Sequence, residues 1–120
     1  MDPLGIDELL RRRCKPCEGG VPSVGREQAQ GYLKGLKGWK LAGDGKSIRA
    51  DYLMKDFAAA IDLVGRIAAV AEAEDHHPDL HLTGYRKLAI ELFTHAIGGL
   101  SENDFILAAK IEGLRKELKS

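Results

Sequence analysis

The chain has 120 residues, 44% of them apolar, which is the material of one domain with enough hydrophobic content to bury a core. Its 18 basic and 18 acidic residues cancel, so the electrostatic footprint of a direct nucleic-acid or acidic-membrane partner is missing. No run approaches the roughly 20 apolar residues of a membrane span, and the opening MDPLGIDELLRRR has no signal-peptide hydrophobic region, so the expectation is a cytoplasmic protein.

In chain order, residues 1–25 read as a largely irregular N-terminal segment, with a helical turn around Asp7–Arg13. Cys14 and Cys17 form a lone CxxC. A structural zinc site needs four ligands and no second cysteine pair exists. Pro16, Gly19 and Gly20 make the motif a loop rather than the strand-to-helix junction of a redox pair, so it is left out of the site. Ala29, Tyr32, Leu33 and Leu36 are spaced for one face of a helix over residues 26–36. Residues 38–42 alternate like a strand, Gly43-Asp44-Gly45 makes a turn, and Ser47–Tyr52 returns as a hairpin. Trp39 reads as a core or interface anchor.

From Met54 to Ala73 the period becomes helical, with Phe57, Ile61, Val64, Ala68 and Ala71 as its apolar stripe. That helix delivers Glu72, Asp75 and His76-His77 to its end, where Pro78 forbids continuation and drives His77 toward extended geometry. Leu80–Leu82 and Tyr85–Thr94 follow as strands around a Thr83-Gly84 turn, with Leu88, Ile90 and Leu92 on one face. His95 ends the second strand, Gly98-Gly99 breaks the chain, and Ser101 caps a last helix running to about Leu118. The order α-β-β-α-β-β-α predicts an α+β fold: a four-stranded antiparallel sheet with helices packed on one face, as a single domain over 1–120.

All four histidines, His76, His77, His81 and His95, fall between Glu72 and Asp104. Three readings compete for them. A metal site could draw on the imidazoles and Asp79, but adjacent histidines on a turning chain converge poorly on one ion, and no HExxH motif is present. A structural role, with carboxylate or backbone partners, suits His81 in its strand. General acid–base catalysis needs imidazoles from two separate elements with a carboxylate orienting one of them, and Glu72 stands at i, i+4 to His76. Ser101 and Asp104 form nearly a capping box, so Asp104 reads equally as a helix cap and as support for the site. Tyr85 reads equally as core and as pocket lining.

The wording of this stretch, AE-x-x-x-HHPD, Tyr85, then THA-x-GGL-x-x-ND-x-x-LA, closely resembles the pterin-4a-carbinolamine dehydratase family. CKPCEGGV and the lone tryptophan in GW-x-L extend the resemblance from about Cys14 to the end of the last helix. It implies a hydro-lyase that converts 4a-hydroxytetrahydropterin, left by pterin-dependent aromatic amino acid hydroxylases, to quinonoid dihydropterin and water. It implies no metal and no organic cofactor. By position, it makes His76, His77 and His95 the catalytic histidines, with His76 and His95 transferring protons and His77 mainly binding substrate. Glu72, Asp104, Pro78 and Tyr85 support them. The resemblance also implies a homodimer or homotetramer that extends the sheet between subunits. Some members serve instead as the dimerisation cofactor of a transcription factor, which makes a protein-interaction module the alternative. Many members carry an aromatic residue two positions after the proline, where this chain has Leu80, and the gap from Pro78 to Tyr85 is long for the family.

Overall fold

The computed structural model describes residues 5–15 and 22–119; Cys17 and the rest of the loop reading over 16–21 lie outside them. Alternating side chains decide the sheet. Ile48 and Ala50 of β2 (Ile48–Leu53) share one buried face with Leu88, Ile90 and Leu92 of β4 (Lys87–Leu92). The antiparallel register sets Ile48 opposite Leu92, Ala50 opposite Ile90 and Tyr52 opposite Leu88, so the apolar residues meet as cross-strand pairs. β1 (Trp39–Leu41) flanks β2, and β3 (Asp79–Thr83) flanks β4. The sheet order is β1-β2-β4-β3, antiparallel throughout. Trp39 is buried in the core.

Helices cover the apolar face. α4 (Glu102–Glu112) is central: Phe105 to Ala109 and Ile111 are all buried, the all-round burial of an interior helix. α1 (Ile6–Arg11) and α3 (Phe57–Glu74) both pack on α4, α2 (Arg26–Leu33) packs beside β1, and Tyr32 stacks on Phe105 at 4.6 Å. The opposite face of the sheet carries charge, with Arg49 bonded to both Asp51 and Glu91. The α+β architecture and its element order stand as the sequence predicts, and the helical turn expected around Asp7–Arg13 is α1.

Three local expectations change. Along α3 the buried positions are Ala59, Ala60, Leu63, Ile67 and Ala71; of the predicted stripe Ala71 is buried, whereas Phe57 and Ile61 are exposed. The helix has two apolar faces, and the one lined by alanine lets it approach the core most closely. The last helix stops at Glu112 rather than near Leu118. Lys116 Nζ donates to the carbonyls of Ile111, Glu112 and Leu114, satisfying the helix end, and Leu118 then bridges back to Met54. Tyr85 belongs to the three-residue β3–β4 turn (84–86) instead of a strand, with both Gly84 (φ 53°) and Tyr85 (φ 55°) in the left-handed region.

The N-terminal segment is tied to the helices through Glu74. Its carboxylate accepts the Cys14 N–H at 2.7 Å and sits 3.4 Å from Lys110 Nζ. Burial pushes the Glu74 pKa up, but those partners outweigh it and hold the carboxyl below its ordinary value. A carboxyl depressed by folding contributes stability above its unfolded pKa and loses it as pH falls through the folded one. Glu74→Gln should therefore be less stable than wild type at pH 7 in urea titrations, with the difference closing below about pH 4. Leu63→Ala should cost about 2–5 kcal/mol in the same measurement; a cost near zero would show that the buried face of α3 is misassigned.

Candidate active site

α3 ends sharply. Asp75 takes the left-handed conformation (φ 52°, ψ 41°), and the His76 N–H turns back to the Ala71 carbonyl at 3.2 Å. Pro78 then holds the chain out of the helix and into β3. The reversal places the His76 imidazole inside, where Nε2 lies 2.7 Å from Asp104 Oδ1. Asp104 is fully buried at the first turn of α4, where a carboxylate also meets the positive end of the helix dipole. Its other oxygen, Oδ2, accepts the Thr94 hydroxyl at 2.8 Å and the Ser101 N–H at 2.9 Å.

The proton inventory follows from these partners. Thr94 spends its one hydroxyl proton on Asp104, so the Ser101 hydroxyl, 2.7 Å away, donates to Thr94. Asp104 thus meets the His76 ring, the Thr94 hydroxyl and the Ser101 N–H together. One buried carboxylate thus joins the end of α3, the end of β4 and the start of α4.

His77 and His95 are exposed. His77 Nε2 lies 3.4 Å from Glu72 Oε2, so Glu72 stands with His77 and not, as its spacing suggested, with His76. The left-handed residue at Asp75 breaks the i, i+4 geometry between them. His95 opens a short 3₁₀ turn (His95–Ile97), closed by Gly98 at φ 62°, and its ring contacts Phe93 at 4.1 Å between centroids. His77 comes two residues before Asp79, which pairs with Glu91, and β4 ends just past Glu91. The two histidine segments therefore leave the same end of adjacent strands.

Tyr85 is not brought to this end. It sits at the opposite tip of the hairpin, four residues or about 13 Å along the strand, exposed and beneath the Arg86 guanidinium. His81 lies on the charged face of the sheet, 3.6 Å from Glu91, in keeping with a structural partner. Leu80 packs against the core on the helix side, so the missing aromatic there alters packing at the sheet edge. Among the described residues, no three His, Cys, Asp or Glu side chains come together as metal ligands.

Sequence reasoning overlooked Thr94 and Asn103. Asn103 accepts the Lys15 N–H at 2.9 Å and donates to the Lys15 carbonyl at 2.7 Å, holding the N-terminal segment beside the site. Both contacts join distant parts of the chain, and no local spacing signals them. The only visible hint was that Thr94 and Asn103 each adjoin a singled-out residue.

A family profile described as pterin 4 alpha carbinolamine dehydratase matches residues 22–114. A relative from Nitrosospira multiformis that bears the family's name is 45% identical over 109 residues, spanning 91% of this chain and 94% of its own. The protein named pterin-4-alpha-carbinolamine dehydratase 2, mitochondrial, from Arabidopsis thaliana is 43% identical over 115 residues, 93% of this chain and 62% of its own. Among solved structures, a transcriptional coactivator/pterin dehydratase from Brucella melitensis superposes with a TM-score of 0.70 at 28% identity, covering 75% of this chain and 95% of its own. With the fold, the histidine segments and these similarities in agreement, the chain belongs to the pterin-4a-carbinolamine dehydratase family of hydro-lyases.

Proposed function

We propose that this chain dehydrates 4a-hydroxytetrahydropterin to quinonoid dihydropterin and water by histidine acid–base catalysis, with neither metal nor organic cofactor. The single observation that carries the reading is the Asp104 bridge, which holds the His76 ring at 2.7 Å and binds the same carboxylate to Thr94, next to His95. In the reaction the C4a–O bond breaks, N5 loses its proton and the C4a=N5 bond forms. Hydroxide leaves poorly, so one imidazole protonates the departing oxygen while a second accepts the N5 proton. His76, braced by a carboxylate, is assigned to N5, and exposed His95 to delivery of the proton to the departing oxygen. His77, held loosely by Glu72, serves substrate binding. Pro78 sets the turn that separates His76 from His77.

The dehydration assay on freshly generated 4a-hydroxytetrahydropterin, run after chelator treatment, tests this. His76→Ala and His95→Ala should each lower kcat by about 10²–10⁴-fold, while His77→Ala should mainly raise KM. Wild-type activity no faster than the spontaneous reaction would remove the enzymatic reading.

The second reading, a module that binds another protein, is supported by the name of the Brucella melitensis neighbour. It is also supported by the exposed side of α3, where Phe57 is 53% and Ile61 48% exposed, in line with Val64 at spacings of 4 and 3. We take the same side as the surface through which copies of the chain associate into a homodimer or homotetramer in the cytoplasm. Among the described residues no helix is long and apolar enough to cross a membrane. Sedimentation equilibrium of Ile61→Glu should show a smaller species than wild type. Unchanged mass, or wild type already monomeric, would contradict self-association through α3.

A further inference from the structure

The helix-free face of the sheet carries, at the hairpin tip far from the histidines, a surface that the proton-transfer scheme does not use. In register, Lys87 of β4 lies between Leu53 of β2 and Thr83 of β3. On the far side of β2 the C-terminal segment runs antiparallel to residues 53–55: Met54 bridges Leu118, and the Lys119 N–H donates to the Leu53 carbonyl at 3.0 Å. Lys119, Leu53, Lys87 and Thr83 therefore form one row across neighbouring segments about 5 Å apart, and all four are exposed. Residues paired across antiparallel segments share a face, so the row sets a leucine between two ammonium groups. In the next outward-facing row Ala89 lies between Asp51 and His81. Its short side chain leaves a hollow of about 460 Å³, bounded in part by those two residues and by Leu53, Thr83 and Lys87.

We propose that this end of the sheet docks an acidic segment of a partner protein, which sets an apolar side chain in the hollow against Leu53 and its carboxylates on Lys87 and Lys119. Charge complementarity selects that occupant. Lys55, Arg86, Lys87 and Lys119 gather here, and among the described residues none of them pairs with a carboxylate. Of the two carboxylates in the same segments, Asp56 and Glu117, the first is committed to the Ala59 N–H at the start of α3. Further along the same face Arg49 is neutralised by Asp51 and Glu91, so uncompensated positive charge collects at the tip. Leu53 is 42% and Tyr85 58% exposed, and the Arg86 guanidinium lies 5.5 Å over the Tyr85 ring. Tyrosine and arginine are among the residues that most often dominate binding at protein interfaces. The surface stands at the other end of the strands from His77 and His95 and is independent of the dehydratase reading.

The test titrates a fluorescein-labelled peptide of alternating Glu and Leu into the full chain by fluorescence anisotropy, beside a peptide of alternating Gln and Leu. The variants are Lys87→Glu, Leu53→Ser and, as a charge control, Lys37→Glu, exposed in the loop before β1. The expected result is saturable binding of the Glu–Leu peptide by wild type, weakened about tenfold in Lys87→Glu and Leu53→Ser and within about twofold of wild type in Lys37→Glu. The Gln–Leu peptide should bind more weakly. Absence of saturable binding by wild type, or an equal loss in Lys37→Glu, would overturn the docking surface. Tighter binding of a single-stranded oligonucleotide or of phosphatidylserine vesicles than of the peptide would overturn the acidic-protein occupant. A smaller mass of Lys87→Glu in sedimentation equilibrium would overturn it in favour of a second copy of the chain.

Discussion

The structure turns on a carboxylate buried where a charge is expensive. Asp104 has no exposure to water, and an unpaired ionised carboxyl in such a place would be untenable. It is tolerated because the Thr94 hydroxyl, the Ser101 N–H, the His76 ring and a helix N-terminus converge on it, and His76 and Thr94 come from two elements besides its own helix. Removing any one of them would leave the charge undercompensated, so the elements hold one another in place. The mutual dependence positions the histidine segments more strictly than their short loops could.

The rest of the fold is arranged so that this junction is rigid. α4 is buried almost all round and brings Asp104 with it, while the ladder between β2 and β4 fixes where Thr94 and His95 emerge. α3 ends at the same point because Asp75 reverses the chain and Pro78 prevents its recovery. The helix-covered face holds the core, and the end of the sheet holds the imidazoles, two of them open to solvent and one braced from within.

Much of this was legible in the sequence. Period-two alternation in β4 gave the correct inward set, and the proline after the histidine pair gave the sharp exit. The phase of α3 was not legible, because the helix has two apolar faces and periodicity cannot tell which of them meets the core and which is left for another surface. Ile61 and Leu63 look alike as letters, and only packing separates them. The partner of His76 was also misread. Glu72 has the right helical spacing, but one left-handed residue cancels the geometry, and the true partner lies 28 positions away. Asp104 announces itself locally as a capping residue, and it does accept the Ser101 N–H. Its bonds to His76 and Thr94 depend on tertiary structure that no short motif encodes.

The most direct measurement of the central claim is the pH dependence of dehydration by Asp104→Asn, followed beside its unfolding curve. The substitution keeps the size of the side chain but replaces an acceptor oxygen with an N–H donor, so His76 loses its carboxylate partner. The expected result is a chain still folded at 25 °C whose kcat falls by at least about tenfold, with the limb of the pH profile that reports the base displaced. A folded Asp104→Asn protein with wild-type kcat and an unmoved profile would contradict the account, and would leave Asp104 a helix cap and nothing more.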